Sequence, residues 1–135
     1  MFAIGGLDHL VLRVSDIDAM LRFYVDVLGM RVERRVGSIG LVQLRAGASL
    51  IDLVPVTRAP GKTGGAPPGD GARNLDHFCL RIEPFDEPAL RAHLVAHDVE
   101  VSAVEQRYGA EGTGPSLYIA DPEGNTVELK GPPSR

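Results

Sequence analysis

Two histidines and two carboxylates stand at matching places in a chain that writes one pattern twice. His9 lies in "LDHLVLRV", and 68 residues later His77 lies in "LDHFCLRI"; five of the eight positions are identical. Further on, Asp52 in Ile51-Asp52-Leu53 and Glu128 in Val127-Glu128-Leu129 are each a carboxylate between two apolar residues, at an offset of 76. Imidazole nitrogen plus carboxylate oxygen is a hard-to-borderline donor set that suits Zn, Ni, Co, Mn or Fe(II). Without thiolate partners it does not read as a structural cysteine-type zinc site. A lone histidine on a strand is ordinarily packed or hydrogen-bonded; four candidates at equivalent positions of a repeat favour a metal.

Strand alternation predicts that the four share a face. Leu10, Leu12 and Val14 alternate with His9, Val11 and Arg13, and Phe78, Leu80 and Ile82 alternate with His77, Cys79 and Arg81. If the apolar sets lie under a helix, then Asp52 and Glu128 fall on the opposite, open face, because a charge packed against a helix would be costly. A regular hairpin would bring Ser116 and Tyr118 to the face of Glu128. Tyr118 reads as a substrate contact or as cavity wall. Arg13 and Arg81 suit a carboxylate-bearing substrate, or simply an ion pair. Cys79 reads mainly as a small buried apolar residue.

The elements that must hold these residues repeat as well. "SDIDAMLRFYVDVLGM" opens with a helix cap at Ser15 or Asp16, carries Met20, Leu21, Tyr24, Val25 and Leu28 at helical spacing, and stops at Gly29. "EPFDEPALRAHLVAHDV" answers it, with Asp86 as cap, Pro88 in the first turn, and Leu90 and Leu94 as the apolar face. Its His93 and His97 have the i, i+4 spacing of a helical metal site but align with packed positions of the first helix, and they are read as packing residues. Three short strands follow each helix: "MRVERRVG", "GLVQLRAG" and "SLIDLVPV", then "VEVSAVEQR", "PSLYIAD" and "NTVELKG". Asp121-Pro122-Glu123-Gly124 forms the last turn. "GAEGTG", residues 109–114, precedes no helix and reads as a mobile loop over a cavity instead of a phosphate cradle.

The predicted fold is therefore α+β: two pseudo-repeated β-α-β-β-β modules, about 7–56 and 75–131, in one domain spanning 1–135. The Gly/Pro-rich stretch 57–73 is expected to form neither helix nor strand. A doubly wound α/β fold would need a helix after nearly every strand, and too few helical stretches exist. With 44% hydrophobic and 24% charged residues, the composition is that of a globular protein able to bury a core. A net charge of −4 without a basic tract recommends neither nucleic acid nor an anionic membrane as partner. No apolar run nears the ~20 residues of a membrane span. One cysteine and no basic, apolar leader point to the cytoplasm.

Over about residues 7–130 the sequence resembles the vicinal oxygen chelate superfamily, which includes glyoxalase I, fosfomycin-resistance enzymes, extradiol dioxygenases and bleomycin-resistance proteins. "LDHLVLRVSDIDAMLRFYVDVLGM", "LDHFCLRI" and "GPSLYIADPEGNTVELK" carry the resemblance. It implies sheets curled around a metal cavity and one divalent ion per site, held by His9, Asp52, His77 and Glu128. It also implies a homodimer whose sites combine the first module of one subunit with the second module of the other. Glyoxalase I has glutamate where this chain has Asp52. Glu128 matches the position of the catalytic base, and "S-x-Y" residues like Ser116 and Tyr118 contact substrate in fosfomycin enzymes. The function implied is metal-dependent lyase or isomerase chemistry on a small molecule with adjacent oxygens. Fosfomycin-type epoxide opening, extradiol dioxygenation and non-catalytic binding of a small molecule, as in bleomycin resistance, are the alternatives.

Overall fold

The computed structural model describes residues 1–134, with Thr63 described by its backbone alone. The chain divides into two units, Met1–Asn74 and the segment from Leu75 onward. Each unit has the element order strand, helix, strand, strand, strand.

In the first unit β1 (His9–Val14) leads into α1 (Ile17–Leu21), whose helical path continues as a wider π turn over Arg22–Val27. Asp16 caps this helix by accepting from the Ala19 amide at 3.0 Å, which satisfies one of the free N–H groups at its start. Gly29 follows the helix with φ +78°, a left-handed conformation that favours glycine. The strands β2 (Arg31–Val36), β3 (Leu41–Ala46) and β4 (Ser49–Pro55) then complete a sheet of order β1-β4-β3-β2. β1 runs parallel to β4, and the other pairs are antiparallel. Leu12, Val14, Met20, Tyr24, Leu44, Ile51 and Leu53 are buried. Each such side chain contributes about 1.5–3 kcal/mol of burial free energy, which locks the strand faces in register.

The second unit repeats the plan with β5 (Phe78–Arg81), α2 (Glu87–Ala96), β6 (Glu105–Gly109), β7 (Gly112–Ala120) and β8 (Thr126–Lys130). Its sheet order is β5-β8-β7-β6, again with one parallel pair, β5 and β8. Asp86 caps α2 through the Ala89 amide, and Pro88 sits in the first turn. Phe78, Leu94, Leu117, Ile119, Val127 and Leu129 are buried. The turn into β8 is held by Asp121, which accepts from the amides of Glu123 and Asn125 at 2.9 Å each and from the Asn125 side chain at 2.8 Å. That turn sets the register of β8, and therefore where Glu128 points. The fold is α+β with two repeated modules.

Four local expectations need correction. Residues 57–73 contain a 3-10 turn, Gly61–Gly64, and an isolated Gly69–Ala72 bridge; the Arg13 guanidinium holds this stretch by donating to the carbonyls of Gly61, Gly65 and Ala66 at 2.8, 2.6 and 3.1 Å. Residues 109–114 are a tight hairpin, not a loop, with Gly109 paired to Gly112. His93 and His97 are exposed, because Leu94 holds the ridge of α2 that is buried. Cys79 is exposed as well, since it projects from the open side of β5.

Candidate functional site

Parallel pairing places Val11 beside Asp52 in the first sheet and Cys79 beside Glu128 in the second. Antiparallel pairing adds Gln43 opposite Asp52 and Tyr118 opposite Glu128. Side chains of directly paired residues lie on the same face, so each sheet carries its carboxylate on the face away from the apolar core. His9 and His77 lie two residues before Val11 and Cys79, on that same face. The alternation argument therefore places one histidine and one carboxylate together in each unit.

Each histidine is oriented by the residue before it. His9 Nδ1 lies 2.7 Å from Asp8 Oδ1, and His77 Nδ1 lies 2.6 Å from Asp76 Oδ2. With Nδ1–H donating to a carboxylate, the Nε2 lone pair is left to a ligand, which is the tautomer a metal-binding imidazole needs. Both imidazole pKa values are raised: His9 chiefly by the Asp8 hydrogen bond and then by the charge of Asp52, His77 chiefly by the Asp76 hydrogen bond, with Glu128 adding to it. Asp8 and Asp76 were not singled out from the sequence as functional residues, although their identity within the repeated "LDH" was the available signal.

The carboxylates are held differently. Asp52 is 6% exposed, and both its oxygens accept from Gln43 Nε2 at 3.2 Å. Glu128 is 7% exposed; its Oε2 accepts from the Ser116 hydroxyl, and its Oε1 stands 3.3 Å from His77 Nε2. Tyr118 packs edge-on against the His77 ring at 5.7 Å. Cys79 sits beside Glu128 with its thiol pushed up to about 11, by partial desolvation and then by that carboxylate, so it is a neutral thiol near pH 7. Arg81 donates to Glu111 at 2.6 Å and to Glu83 at 3.3 Å, so both predicted arginines have protein partners.

The His77–Glu128 pair fits a metal. Two donors each ~2.1 Å from one ion, at a near-tetrahedral angle, stand about 3.4 Å apart, close to the separation found. Among the described residues, however, no group of three or more His, Cys, Asp or Glu side chains is gathered around one point. In the second unit His77 and Glu128 meet directly; in the first, Asp52 is held by Gln43 and acts on His9 only through its charge.

Comparison with known proteins agrees with this architecture. Residues 6–129 match the Glyoxalase/Bleomycin resistance protein/Dioxygenase superfamily. The chain is 29% identical over 131 residues to virulence protein STM3117 of Salmonella typhimurium, covering 93% of this chain and 83% of that protein. The crystal structure of STM3117 superposes with a TM-score of 0.79 at 28% identity, covering 97% and 99% of the two chains. TnmS3, an antibiotic binding protein from Streptomyces sp. CB03234, gives a TM-score of 0.70 at 26% identity over 98% and 99% of the chains. Lactoylglutathione lyase from Agrobacterium tumefaciens gives 0.66 at 25% identity over 95% and 94%. Fold, repeat and sequence match together establish that the chain belongs to the glyoxalase/bleomycin resistance protein/dioxygenase superfamily.

Proposed function

We propose that this protein is a divalent-metal-dependent lyase or isomerase of the glyoxalase-like type, acting in the cytoplasm on a small molecule with adjacent oxygens. Members of the superfamily often bind a divalent metal. The observation that carries the reading is the duplicated pair of an aspartate-oriented imidazole and a buried carboxylate, with His77 Nε2 and Glu128 Oε1 3.3 Å apart. His9, Asp52, His77 and Glu128 would hold one ion of Zn, Ni, Co, Mn or Fe(II), in a homodimer where each site combines the His9–Asp52 pair of one protomer with the His77–Glu128 pair of its partner. Bound there, the metal supplies Lewis-acid stabilisation of negative charge developing on the substrate oxygens.

The chain's own residues supply the rest. Glu128 is the base: with Oε2 accepting from Ser116, its carboxylate removes a proton from carbon and returns it to the neighbouring atom. Ser116 thereby orients the base, while Tyr118, across from Glu128, forms the wall against which substrate lies. Arg13 and Arg81 have protein partners for their donors, so recognition falls first to Tyr118 and Ser116.

Metal analysis of the purified protein, followed by assay with the methylglyoxal–glutathione hemithioacetal, fosfomycin plus thiols, and catechols with Fe(II), tests the reading. Bound metal and metal-dependent turnover of one of these supports it; protein that takes up none of the five ions overturns it. The second reading is a small-molecule binding module. It is favoured by the similarity to TnmS3, an antibiotic binding protein. It predicts saturable binding without turnover.

A further inference from the structure

His93 and His97 stand one turn apart on α2, and the function proposed above uses neither. This is the spacing by which a helix presents two ligands on one side. Both residues are exposed, so core packing does not hold them together. Their rings nevertheless lie 4.8 Å apart, centre to centre, with their planes tilted by 58°. Two imidazoles bound to one ion through nitrogens at about 2.1 Å put each ring centre roughly 3.2 Å from it. An angle of about 90–110° at the ion then sets the two centres ~4.5–5.2 Å apart. The observed separation falls inside that range, so the rings need little movement to share an ion. Each imidazole has two nitrogens, and one can keep a hydrogen bond to the protein while the other binds.

The surroundings favour a cation and leave room for it. His93 lies in the last turn of α2 and His97 caps it, at the end where the unpaired carbonyls make the helix dipole negative. Ala89, Ala92 and Ala96, the helical neighbours of the pair, are exposed; their methyl groups leave the other positions around an ion open to water. The helix buries Leu94 in the apolar core, and Glu128 lies on the opposite face of the sheet. The two histidines are therefore separated from the His77–Glu128 pair by the sheet itself.

We propose that His93 and His97 form a metal site of their own, a two-imidazole chelate for Cu(II). For a given nitrogen donor set copper binds most tightly among the divalent first-row ions, and its tetragonal plane accepts two adjacent imidazoles and completes itself with water. Zn, Ni and Co are weaker on the same donors, and with only two protein ligands they fill this site only at much higher concentration. The site is independent of the functional reading above.

Cu(II) is the probe, titrated to a few equivalents into the whole protein in a non-coordinating buffer and followed through the backbone amide signals, which the paramagnetic ion broadens nearby. The readout is local, so uptake or its failure at the His77–Glu128 pair shows on that sheet and not on α2. Wild type should show saturable broadening at Ala92, Ala96 and His97. His93→Ala and His97→Ala should each weaken it by about tenfold or more, because one imidazole cannot chelate. Both variants should fold, since the positions are exposed and alanine is the better helix former. His97→Ala combined with Val95→His keeps two histidines on the helix but turns them to different sides, and should bind no better than His97→Ala. Zn at the same concentrations should leave the three amides unchanged. Absence of saturable broadening on α2, undiminished broadening in either alanine variant, full binding with the histidine moved to position 95, or an equal response to Zn would each overturn the proposal.

Discussion

The two modules share a plan and differ in what they place on it. In the first, the strand carboxylate Asp52 is pinned by Gln43, Val11 lies beside it, and Val54 closes the row above. In the second, Glu128 faces His77 directly, Ser116 donates to it, Tyr118 lies across from it, and Lys130 takes the place of the valine. One methylene explains part of the difference, since glutamate reaches the imidazole where aspartate is turned to the neighbouring amide. Under the proposed function, the comparison divides the labour: the first module would hold and the second would react.

The sharpest way to break that comparison is to remove the two carboxylates in turn. Glu128→Gln should abolish turnover and weaken metal binding by more than the ~10–100-fold typical of outer-shell partners. Asp52→Asn should retain metal and turnover at reduced levels. Equal losses from both substitutions, read by metal titration and steady-state kinetics, would show that the modules are equivalent. Asp8→Ala and Asp76→Ala come next: each removes the acceptor that orients an imidazole, and each should weaken metal binding by roughly 10–100-fold. A titration unaffected by either would mean that these hydrogen bonds do not set the ring.

Gln43→Leu tests the holding role through stability. It leaves Asp52 buried without the donor that both its oxygens use, and should destabilise the protein by about 1–3 kcal/mol in denaturant unfolding. No loss of stability would mean that Asp52 does not depend on Gln43. The smallest expected effect is that of pH. The raised pKa values of His9 and His77 mean that the folded apo chain favours imidazolium. Its stabilisation is present below the ordinary value of 6.5 and is lost as pH rises through the raised folded values. Metal competes with those protons, so its affinity should begin to fall on acidification while pH is still above 6.5. Metal titrations at several pH values read this directly; a fall beginning only below 6.5 would contradict it.

Much of the fold was legible because its signals are local. Asp16 and Asp86 cap the helices they precede, and the Asp121–Gly124 turn closes as its residue types require. The face of each candidate ligand followed from strand alternation, which apolar burial enforces. What escaped depended on contacts distant in sequence or on a pattern that glycine erases. Arg13 meets its carbonyl partners 48–53 residues away, which nothing around "VLRVS" announces. Gly109, Gly112 and Gly114 carry no side chain to alternate, so a hairpin read as a loop. His93 and His97 lie next to the buried ridge of α2 instead of on it, and one residue on a helix is a rotation of about 100°.

The central claim is that the repeated histidine–carboxylate pairs serve one metal ion together. Calorimetric titration of Zn, Ni or Co into metal-stripped protein tests it most directly, with wild type, His9→Ala and His77→Ala side by side. The account predicts one ion per chain in wild type and a severe loss of affinity in both variants. Two ions per chain, no binding at all, or undiminished binding in either alanine variant would contradict it.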